Sequence, residues 1–296
     1  MKNYIFGDTG GHAKQLFASL EKIGVNLKDY SIPDGVRIIH CGDLIHKGPS
    51  SRLLLDTVNR LIRKNKGQWI QLLGNHEFQH IEGSPYFWRC DCNMQDVATI
   101  NDLFDEGLAT ASFGINELVD VKLEVSARPK MIIPNKGVLF THAGLTNTWL
   151  NFVKSLNGAS SNLAEVNLTS TEVASILNGL DVDVITAAGQ MLGYINPNVG
   201  PVWAIGNDEV FNDWEASGEV MPFMQVHGHT TSYSWSYGSW YRKDAAFKKF
   251  KGVTKLNPQT RAVITELAGN ILVGIDPGFS AKADLQAQPY LTIESL

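Results

Sequence analysis

The chain has 296 residues, a formal net charge of −5 at pH 7, and 44% hydrophobic and 19% charged residues. This composition is typical of a folded globular protein with a large core, and it excludes a disordered chain. The acidic balance does not favour a nucleic-acid partner, because surfaces that follow phosphates are basic. The sequence has no apolar run of about 18 residues or more, so we expect no membrane span, no standard secretion signal and a cytoplasmic location.

The sequence holds three cysteines, Cys41, Cys90 and Cys92. An odd number this small does not indicate a disulfide framework. The pair Cys90 and Cys92 suggests a metal site, but no second cysteine pair stands at zinc-site spacing. We therefore interpret these cysteines as free thiols or a local redox pair in a reducing compartment.

The first third of the chain alternates strands and helices. Apolar periodicity predicts, in order, a strand over 3–6, a helix over 13–23, a strand over 36–41, a helix over 53–62 and a strand over 69–73. This order is typical of a parallel sheet with right-handed helical crossovers. Ligand sites of such sheets lie at the carboxyl ends of the strands.

The alternation stops after this region. Residues 82–130 are mixed, with a predicted helix over 96–106, and the strand pattern resumes at 137–141. Residues 146–207 are predicted to be a helical insertion, in which the segment Thr169–Glu172 fits a capping box.

Strands return near the end of the chain, over 224–226, 262–267 and 271–275. The sequence contains no internal repeat, no low-complexity tract and no long Pro- or Ser-rich linker. We therefore expect one domain over residues 1–296, with 146–207 as a helical insertion or cap.

Five apolar runs end in glycine or small residues together with Asp, Asn or His. The segments are Phe6-Gly7-Asp8, Cys41-Gly42-Asp43, Gly74-Asn75-His76-Glu77, Thr141-His142-Ala143-Gly144 and Val226-His227-Gly228-His229-Thr230. Such a mixed set of oxygen and nitrogen donors suits Mn, Fe, Zn or Ni better than Ca. A central carboxylate can bridge two such ions about 3.5–4 Å apart, the separation found in two-metal phosphoesterases.

The order of these motifs resembles that of the calcineurin-like metallophosphoesterase superfamily. Within it, the chain is most similar to the phosphoprotein-phosphatase branch, which includes bacterial-type phosphatases and symmetrical diadenosine tetraphosphatases. The resemblance runs from Tyr4 to about Gly278 and is weak or absent over 82–135 and 146–205. It implies an α/β fold, the four-layer α/β/β/α sandwich, with two sheets packed face to face, helices outside and a helical insertion.

The resemblance also implies a ligand set for two divalent metal ions. Asp8 would bind the first ion and Asp43 would bridge both. Asn75, His142 and His229 would complete the second. Mn is the expected metal, with Fe, Zn or Ni as alternatives.

Further roles follow from the same resemblance. His76 would be the general acid or would stabilise charge on the leaving oxygen, and Asn75 would also touch the substrate phosphate. Lys47 stands where the family often has a phosphate-binding Arg, and a Lys supplies charge without a bidentate fork. Arg89 and Arg128 are candidate substrate contacts, and ordinary surface positions are the alternative for both.

Two positions depart from the family pattern. The first motif of the family is Asp-x-His, and Gly10 stands where that His belongs. His12, two residues later, either returns to the first metal ion across a flexible Gly-Gly or begins the helix and faces solvent or phosphate. His46 stands where the family often has an Asp that orients the acid histidine, so the tautomer of His76 would be set by other means.

Four other positions are weaker candidates. We expect His40 to be packed, His227 to support the ligands at most and Asp276 to be structural, while His80 could line the mouth of the site.

The aromatic segment Tyr86-Phe87-Trp88, with Trp235 and Trp240, could stack on a nucleotide base or belong to the core, and burial is the default for Trp203 and Trp214.

The expected function is hydrolysis of a phosphomonoester or phosphoanhydride by metal-bound hydroxide. The expected substrates are phosphorylated: a phosphoprotein, a nucleotide or another small molecule such as a dinucleoside polyphosphate. The alternative is a degenerate member of the superfamily that keeps the fold and binds a partner without turnover, since fold does not fix function.

Overall fold

The structure is a computed structural model, and it describes residues 1–89, 92–116, 119–121, 131–132, 137–156, 168–242, 244–279 and 285–295. The strands are β1 (Lys2–Phe6), β2 (Val36–His40), β3 (Trp69–Leu72), β4 (Ala109–Thr110), β5 (Ser112–Ile115), β6 (Val119–Val121), β7 (Met131–Ile132), β8 (Val138–Thr141), β9 (Met224–His227), β10 (Tyr233–Ser234), β11 (Ser239–Trp240), β12 (Thr254–Asn257), β13 (Ala262–Leu267), β14 (Asn270–Gly274) and β15 (Leu291–Ser295). The α-helices are α1 (Ala13–Lys22), α2 (Ser51–Lys64), α3 (Asn75–Phe78), α4 (Met94–Asp105), α5 (Asn147–Leu156), α6 (Ser170–Asn178), α7 (Val182–Ile185), α8 (Phe211–Ser217) and α9 (Ala245–Gly252). A short 3-10 turn covers Gln190–Leu192 and a π-helical turn covers Gly206–Val210.

The first sheet has seven strands in the order β4-β3-β2-β1-β15-β6-β7. Its strands β1 to β4 are parallel neighbours, and α1 and α2 follow β1 and β2 along the chain. This confirms the predicted strand-helix alternation. Strand β15 pairs antiparallel with β1, and β6 pairs antiparallel with β15.

The second sheet has six strands in the order β12-β13-β14-β9-β8-β5. Its three central strands, β14, β9 and β8, are parallel to one another. The outer strands β13 and β5 pair antiparallel with β14 and β8. The carboxyl ends of β8 and β9 therefore lie side by side.

One cluster of buried side chains lies between the two sheets. It joins Ile5 and Ile39 of the first sheet to Phe140, Val226 and Val273 of the second, all of them fully buried. A second, larger cluster joins the helices to the sheets. The face-to-face sandwich with helices outside, as predicted from the sequence, is confirmed.

Helix α2 shows why the helices cover the sheets. Its buried residues Leu54, Val58, Leu61 and Ile62 follow helical spacing and form one apolar stripe. Burial of each such side chain contributes about 1.5–3 kcal/mol to folding.

The described part of the segment 146–207 contains α5, α6 and α7, with turns and loops between and after them. The predicted capping box is confirmed, since Glu172 N donates to Thr169 Oγ1 and Thr169 N donates to Glu172 Oε2. Helix α6 packs against β5 and β8. Its role as a cap stays a prediction.

Strand β15 was absent from the predicted elements. Its five residues enter the middle of the first sheet, where Asn3 Nδ2 donates to the carbonyl oxygen of Ile293. A short alternating segment gives a weak pattern, and its pairing with the first strand of the chain depends on the tertiary structure. None of the described helices has both the length and the apolar character needed to cross a membrane.

Candidate active site

Five loops that follow strands meet at the carboxyl ends of the parallel strands. They bring together the five ligand candidates Asp8, Asp43, Asn75, His142 and His229, from the ends of β1, β2, β3, β8 and β9. All five side chains are buried, with exposed fractions of 8% or less. Their convergence agrees with the placement of ligand sites in parallel sheets.

Glycines beside the ligand candidates let these loops approach closely. A Cβ atom on Gly74 would collide with Asp43 Oδ1, and one on Gly228 would collide with Asp8 Oδ1. The Asp43 and His229 backbones have positive φ angles of 54° and 62°. Residues other than glycine rarely adopt this conformation, and it is concentrated at functional sites.

His142 lies in a group of converging acceptor atoms. Its Nδ1 is 2.7 Å from the carbonyl oxygen of Cys41, which only accepts, so Nδ1 donates and Nε2 carries a lone pair. Nε2 lies 3.3 Å from Asp43 Oδ1 and 3.1 Å from both Asn75 Oδ1 and His229 Nδ1. Asp43 Oδ1, Asn75 Oδ1 and His142 Nε2 all accept, and a cation between them would remove the repulsion of their lone pairs.

Two further atoms at this point are buried and lack a hydrogen-bond partner among the described residues, Asp8 Oδ2 and His229 Nε2. Asp8 Oδ1 accepts from the backbone N–H of His229, and Oδ2 faces Lys47 Nζ at 3.8 Å. One ligand atom each from Asp8, Asp43 and His142 lie within 4.8 Å of one another. These residues fit a divalent metal ion in number, chemistry and position.

Burial and neighbouring charges shift the pKa values of the groups at this site in different directions. Burial, followed by the charges of Asp276 and Asp43, raises the pKa of Asp8 well above its usual range. Burial opposes ionisation of Asp43 too, but the imidazoles and the ammonium group beside it hold its pKa below the usual range. Burial lowers the pKa of His142 and His229, so both rings are neutral, the form that binds metals.

Glu77 holds the two central loops together. Its carboxylate accepts backbone hydrogen bonds from Asp43, Leu44 and Ile45 in one loop, at 2.8, 2.9 and 3.2 Å, and from Gly74 in the other, at 2.9 Å. Burial raises the pKa of Glu77 to about 7, and the N–H donors oppose that rise. From the sequence, Glu77 is only a member of the Gly74-Asn75-His76-Glu77 motif. Its role could not be predicted, because its backbone partners depend on the fold.

His76 has a partner that the sequence did not predict. His76 Nδ1 lies 2.7 Å from His46 Nδ1, so one nitrogen donates to the other. His76 Nε2 faces Asp43 Oδ2 at 3.7 Å. His46 thus occupies the orienting position that the family often gives to an Asp. Burial lowers the pKa of His76 to about 3, which makes the ring neutral at neutral pH.

Aromatic rings surround His76 and His229. Phe87 and Trp88 pack edge-on against His76, with centroids 5.0 and 5.2 Å away. Trp203 is buried, as predicted, and contacts both Phe87 and His229. Trp88 is 41% exposed, so it offers an accessible ring beside the site.

The predicted phosphate contacts have different surroundings. Lys47 Nζ lies 3.5 Å from Asp43 Oδ2 and 3.8 Å from Asp8 Oδ2, so its ammonium group neutralises both carboxylates. These carboxylates raise its pKa against the effect of burial. Arg89 is exposed, and Arg128 lies outside the described residues.

His12 begins α1 as its N-cap residue, and its buried ring packs against Phe279 at a centroid distance of 5.1 Å. The cluster of Asp8, Asp43 and His142 within 4.8 Å does not include it. The sequence left open whether His12 binds a metal ion or begins the helix. The structure shows the helix start, and metal binding by His12 stays a prediction.

The weaker histidine candidates are packed. His40 is buried, with Nε2 2.8 Å from Thr9 Oγ1, and its Nδ1 accepts from Gly42 N, which confirms the prediction of a packed residue. His227 Nδ1 is 2.8 Å from the carbonyl oxygen of Gly228.

Comparisons with known proteins bear on this geometry. The sequence profile of the calcineurin-like phosphoesterases matches residues 1–257. The chain belongs to the calcineurin-like phosphoesterase family. Members of this family are metal-dependent phosphoesterases that generally use two divalent ions, and the resemblance stated from the motifs is confirmed.

Solved structures with a similar fold include phosphatases. A cold-active protein tyrosine phosphatase is 17% identical, with 94% of this chain and 70% of that chain covered and a TM-score of 0.48. A cold-active protein-tyrosine phosphatase of a psychrophilic Shewanella species is 20% identical, with 77% and 65% covered and a TM-score of 0.44. A protein serine/threonine phosphatase from Saccharomyces cerevisiae is 12% identical, with 100% and 80% covered and a TM-score of 0.39. No curated protein sequence matches the chain, so the family assignment depends on the profile match.

Proposed function

We propose that this metal-dependent phosphoesterase uses two divalent ions, with Mn as the expected metal, to hydrolyse a phosphomonoester or a phosphoanhydride. The observation that carries the proposal is the convergence of Asp43 Oδ1 and Asn75 Oδ1 on His142 Nε2, two acceptor oxygens within 3.3 Å of its lone pair. When bound, the ions supply Lewis-acid chemistry that polarises the phosphoryl group and lowers the pKa of water.

The residues that would hold the ions divide into two groups. Asp8 and the predicted ligand His12 belong to the first ion. Asn75, His142 and His229 belong to the second. Asp43 lies between the groups, since its two oxygens face His142 on one side and Lys47 on the other.

His76 is proposed to act at the leaving oxygen. If His46 Nδ1–H donates to His76 Nδ1, the proton of the neutral His76 ring lies on Nε2, the nitrogen that faces Asp43. A neutral N–H donor at this place stabilises negative charge on the leaving oxygen. Lys47 and Asn75 would add charge and a polar contact for the phosphate.

The exposed aromatic ring of Trp88 beside His76 bears on the proposed substrate class. We propose a nucleotide, a dinucleoside polyphosphate or a phosphoprotein, and the exposed Trp88 ring beside His76 supports a substrate with an aromatic group near the leaving oxygen. The half-buried Trp240 packs against Tyr233, Phe247 and Phe250, so it supports core packing rather than base stacking. A reducing compartment such as the cytoplasm suits the described cysteines, since Cys41 and Cys92 form no disulfide.

A substrate panel tests this proposal. Mn-loaded protein would be assayed for phosphate release from nucleoside phosphates, a dinucleoside tetraphosphate and phosphoserine peptides. We expect Trp88→Ala to raise KM for the nucleotides and to leave KM for the peptides unchanged. An equal effect on both classes would contradict the aromatic contact.

A binding module without turnover is the other candidate from the sequence, and the Asp43→Ala variant separates the two. An enzyme loses metal ions and turnover together in this variant, whereas a binding module keeps its partner affinity. The geometry supports the enzyme, because Asp43 contacts both His142 and His76 within 3.7 Å.

A further inference from the structure

A second group of metal-binding side chains lies beside the phosphoesterase centre. A ring nitrogen of His46, a ring nitrogen of His80 and Cys92 Sγ lie within 4.8 Å of one another. His46 is buried, and the other two residues are half-buried. The three residues come from the loop after β2, the turn after α3 and the segment just before α4.

The distances suit a tetrahedral ion. Zn–S and Zn–N bonds of about 2.3 and 2.1 Å place a sulfur and a nitrogen ligand roughly 3.6 Å apart. Cys92 Sγ and His46 Nε2 are 3.6 Å apart. One thiolate and two imidazoles form a three-ligand set that is typical of Zn²⁺ with an open fourth position.

Two of the three ligands are held by neighbouring backbone contacts. Asn101 Nδ2 of α4 donates to the carbonyl oxygen of His80 at 3.2 Å. Asn93, which follows Cys92, caps α4 through reciprocal bonds with Asp96, each 3.0 Å long. Helix α4 thus positions both His80 and Cys92, and a supported site loses less entropy when it binds an ion.

Two of the contacts that these groups make are long. His80 Nε2 and Gln79 Nε2 are 3.4 Å apart, a long hydrogen bond. Burial lowers the pKa of His80, which favours the neutral imidazole. A thiol is also a weak hydrogen-bond partner for His46, and its deprotonated form is a strong ligand.

We propose that His46, His80 and Cys92 bind Zn²⁺ or another thiophilic divalent ion at a site separate from the phosphoesterase centre. The ligand candidates of the phosphoesterase centre are carboxylates, an amide and imidazoles, so sulfur distinguishes the two sites. On binding, the thiol proton of Cys92 goes to solvent and the thiolate forms the bond to the ion.

The two sites share one contact. An ion on His46 Nε2 leaves the ring proton on Nδ1, where it donates to His76 Nδ1 across 2.7 Å. His76 then carries its proton on Nε2, towards Asp43. An ion at the thiolate site therefore fixes the tautomer of His76 that the proposed reaction uses.

Cobalt substitution tests the proposal with a signal that does not depend on activity. Co²⁺ bound by a thiolate has a charge-transfer absorption in the near ultraviolet, and Co²⁺ bound by oxygen and nitrogen alone lacks it. We expect the band when Co²⁺ is added to the metal-free full-length protein. We expect it to persist in Asp43→Asn, which disrupts the phosphoesterase centre, and to disappear in Cys92→Ser.

The matched control is Cys90→Ser, the same change two residues away, which should retain the band. His80→Gln keeps the thiol and should weaken Co²⁺ binding at this site by at least about tenfold, so it carries the test if Cys92→Ser fails to fold. No band in the wild type, a band that survives Cys92→Ser, or a band lost in Asp43→Asn would each overturn the proposal. The Asp43→Asn variant separates the two proposals. A band in this variant supports the thiolate site even if the two-ion phosphoesterase centre does not exist.

Discussion

Asp43 and Asp8 follow neighbouring parallel strands, yet the chain holds them by different means. The Asp43 loop is fixed by Glu77, which binds three consecutive N–H groups of that loop. The Asp8 loop is held by hydrogen bonds to the Asp43 loop. Thr9 N and Gly10 N both donate to the carbonyl oxygen of Asp43, at 2.9 and 2.7 Å.

The proposed side-chain ligands are also distributed unequally around Asp43. Asn75, His142 and His229 gather on one side of Asp43. On the other side, Asp8 is the candidate that lies in the cluster with Asp43 and His142 among the described residues, and His12 packs against Phe279. In the proposed two-ion centre, one half would therefore be preorganised by the protein, and the other would depend more on its cation. We infer that the two ions bind with unequal affinity.

Loss of the shared carboxylate should have the largest effect. We expect Asp43→Asn to lower kcat/KM by roughly a thousandfold or more, since it weakens both halves of the centre. Phosphate release and metal content per chain measure this. Asp56→Asn on the exposed face of α2 is the control and should behave as wild type; a variant of Asp43 that keeps both ions would contradict the bridging role.

Removal of the Glu77 charge should damage the preorganised half. Glu77→Gln cannot accept all four backbone hydrogen bonds, and each buried N–H left without a partner costs about 1–3 kcal/mol. We expect a lower free energy of unfolding by about 2–4 kcal/mol in urea denaturation, together with loss of activity. Glu82→Gln, at an exposed position, is the matched control, and equal stability of the two variants would argue against this role.

The His46–His76 pair offers a test by rescue. We expect His46→Ala to reduce kcat by about 10–100-fold with little change in KM, as loss of an orienting group does. His46→Asp, which introduces the residue often found in the family, should recover much of this loss. If Asp and Ala at this position behave alike, orientation of His76 is not the role of His46.

His40 joins the two loops through Thr9 and Gly42, and its replacement should have the smallest effect at neutral pH, where the ring is largely neutral in both the folded and the unfolded chain. Burial lowers its pKa to about 3, while the unfolded chain titrates near 6.5. The unfolded state therefore binds the extra proton first, so the free energy of unfolding falls as pH drops from about 6.5 to 3, by about 1.4 kcal/mol per pH unit for this one group. Urea denaturation across this range should show a shallower slope for His40→Gln, and an unchanged slope would contradict a neutral His40.

The sequence predicted the parts of the site that local pattern encodes. The convergence of Asp8, Asp43 and His142 could be predicted, because each follows an apolar run with a glycine or small residue nearby, and parallel strands end at one edge of a sheet. Apolar periodicity located α2, and the spacing of Thr169 and Glu172 located the capping box of α6.

Pairings between distant segments could not be predicted in this way. Glu77 contacts backbone N–H groups more than thirty residues away along the chain. His46 and His76 are thirty residues apart and come into contact only in the folded protein. Backbone N–H donors carry no side-chain signal in the sequence, and β15 is a short segment whose partner is the first strand of the chain.

Titration of the metal-free protein with Mn²⁺ tests the unequal halves most directly. The Cys92→Ser background removes the thiolate site, and bound metal would be followed by calorimetry and elemental analysis, in parallel with His12→Ala. We expect two ions per chain, one bound at least about tenfold more tightly than the other. If His12 is a ligand, His12→Ala lowers the affinity of the more weakly bound ion further. Two ions of equal affinity, or fewer than two, would contradict a centre built from one preorganised and one cation-dependent half.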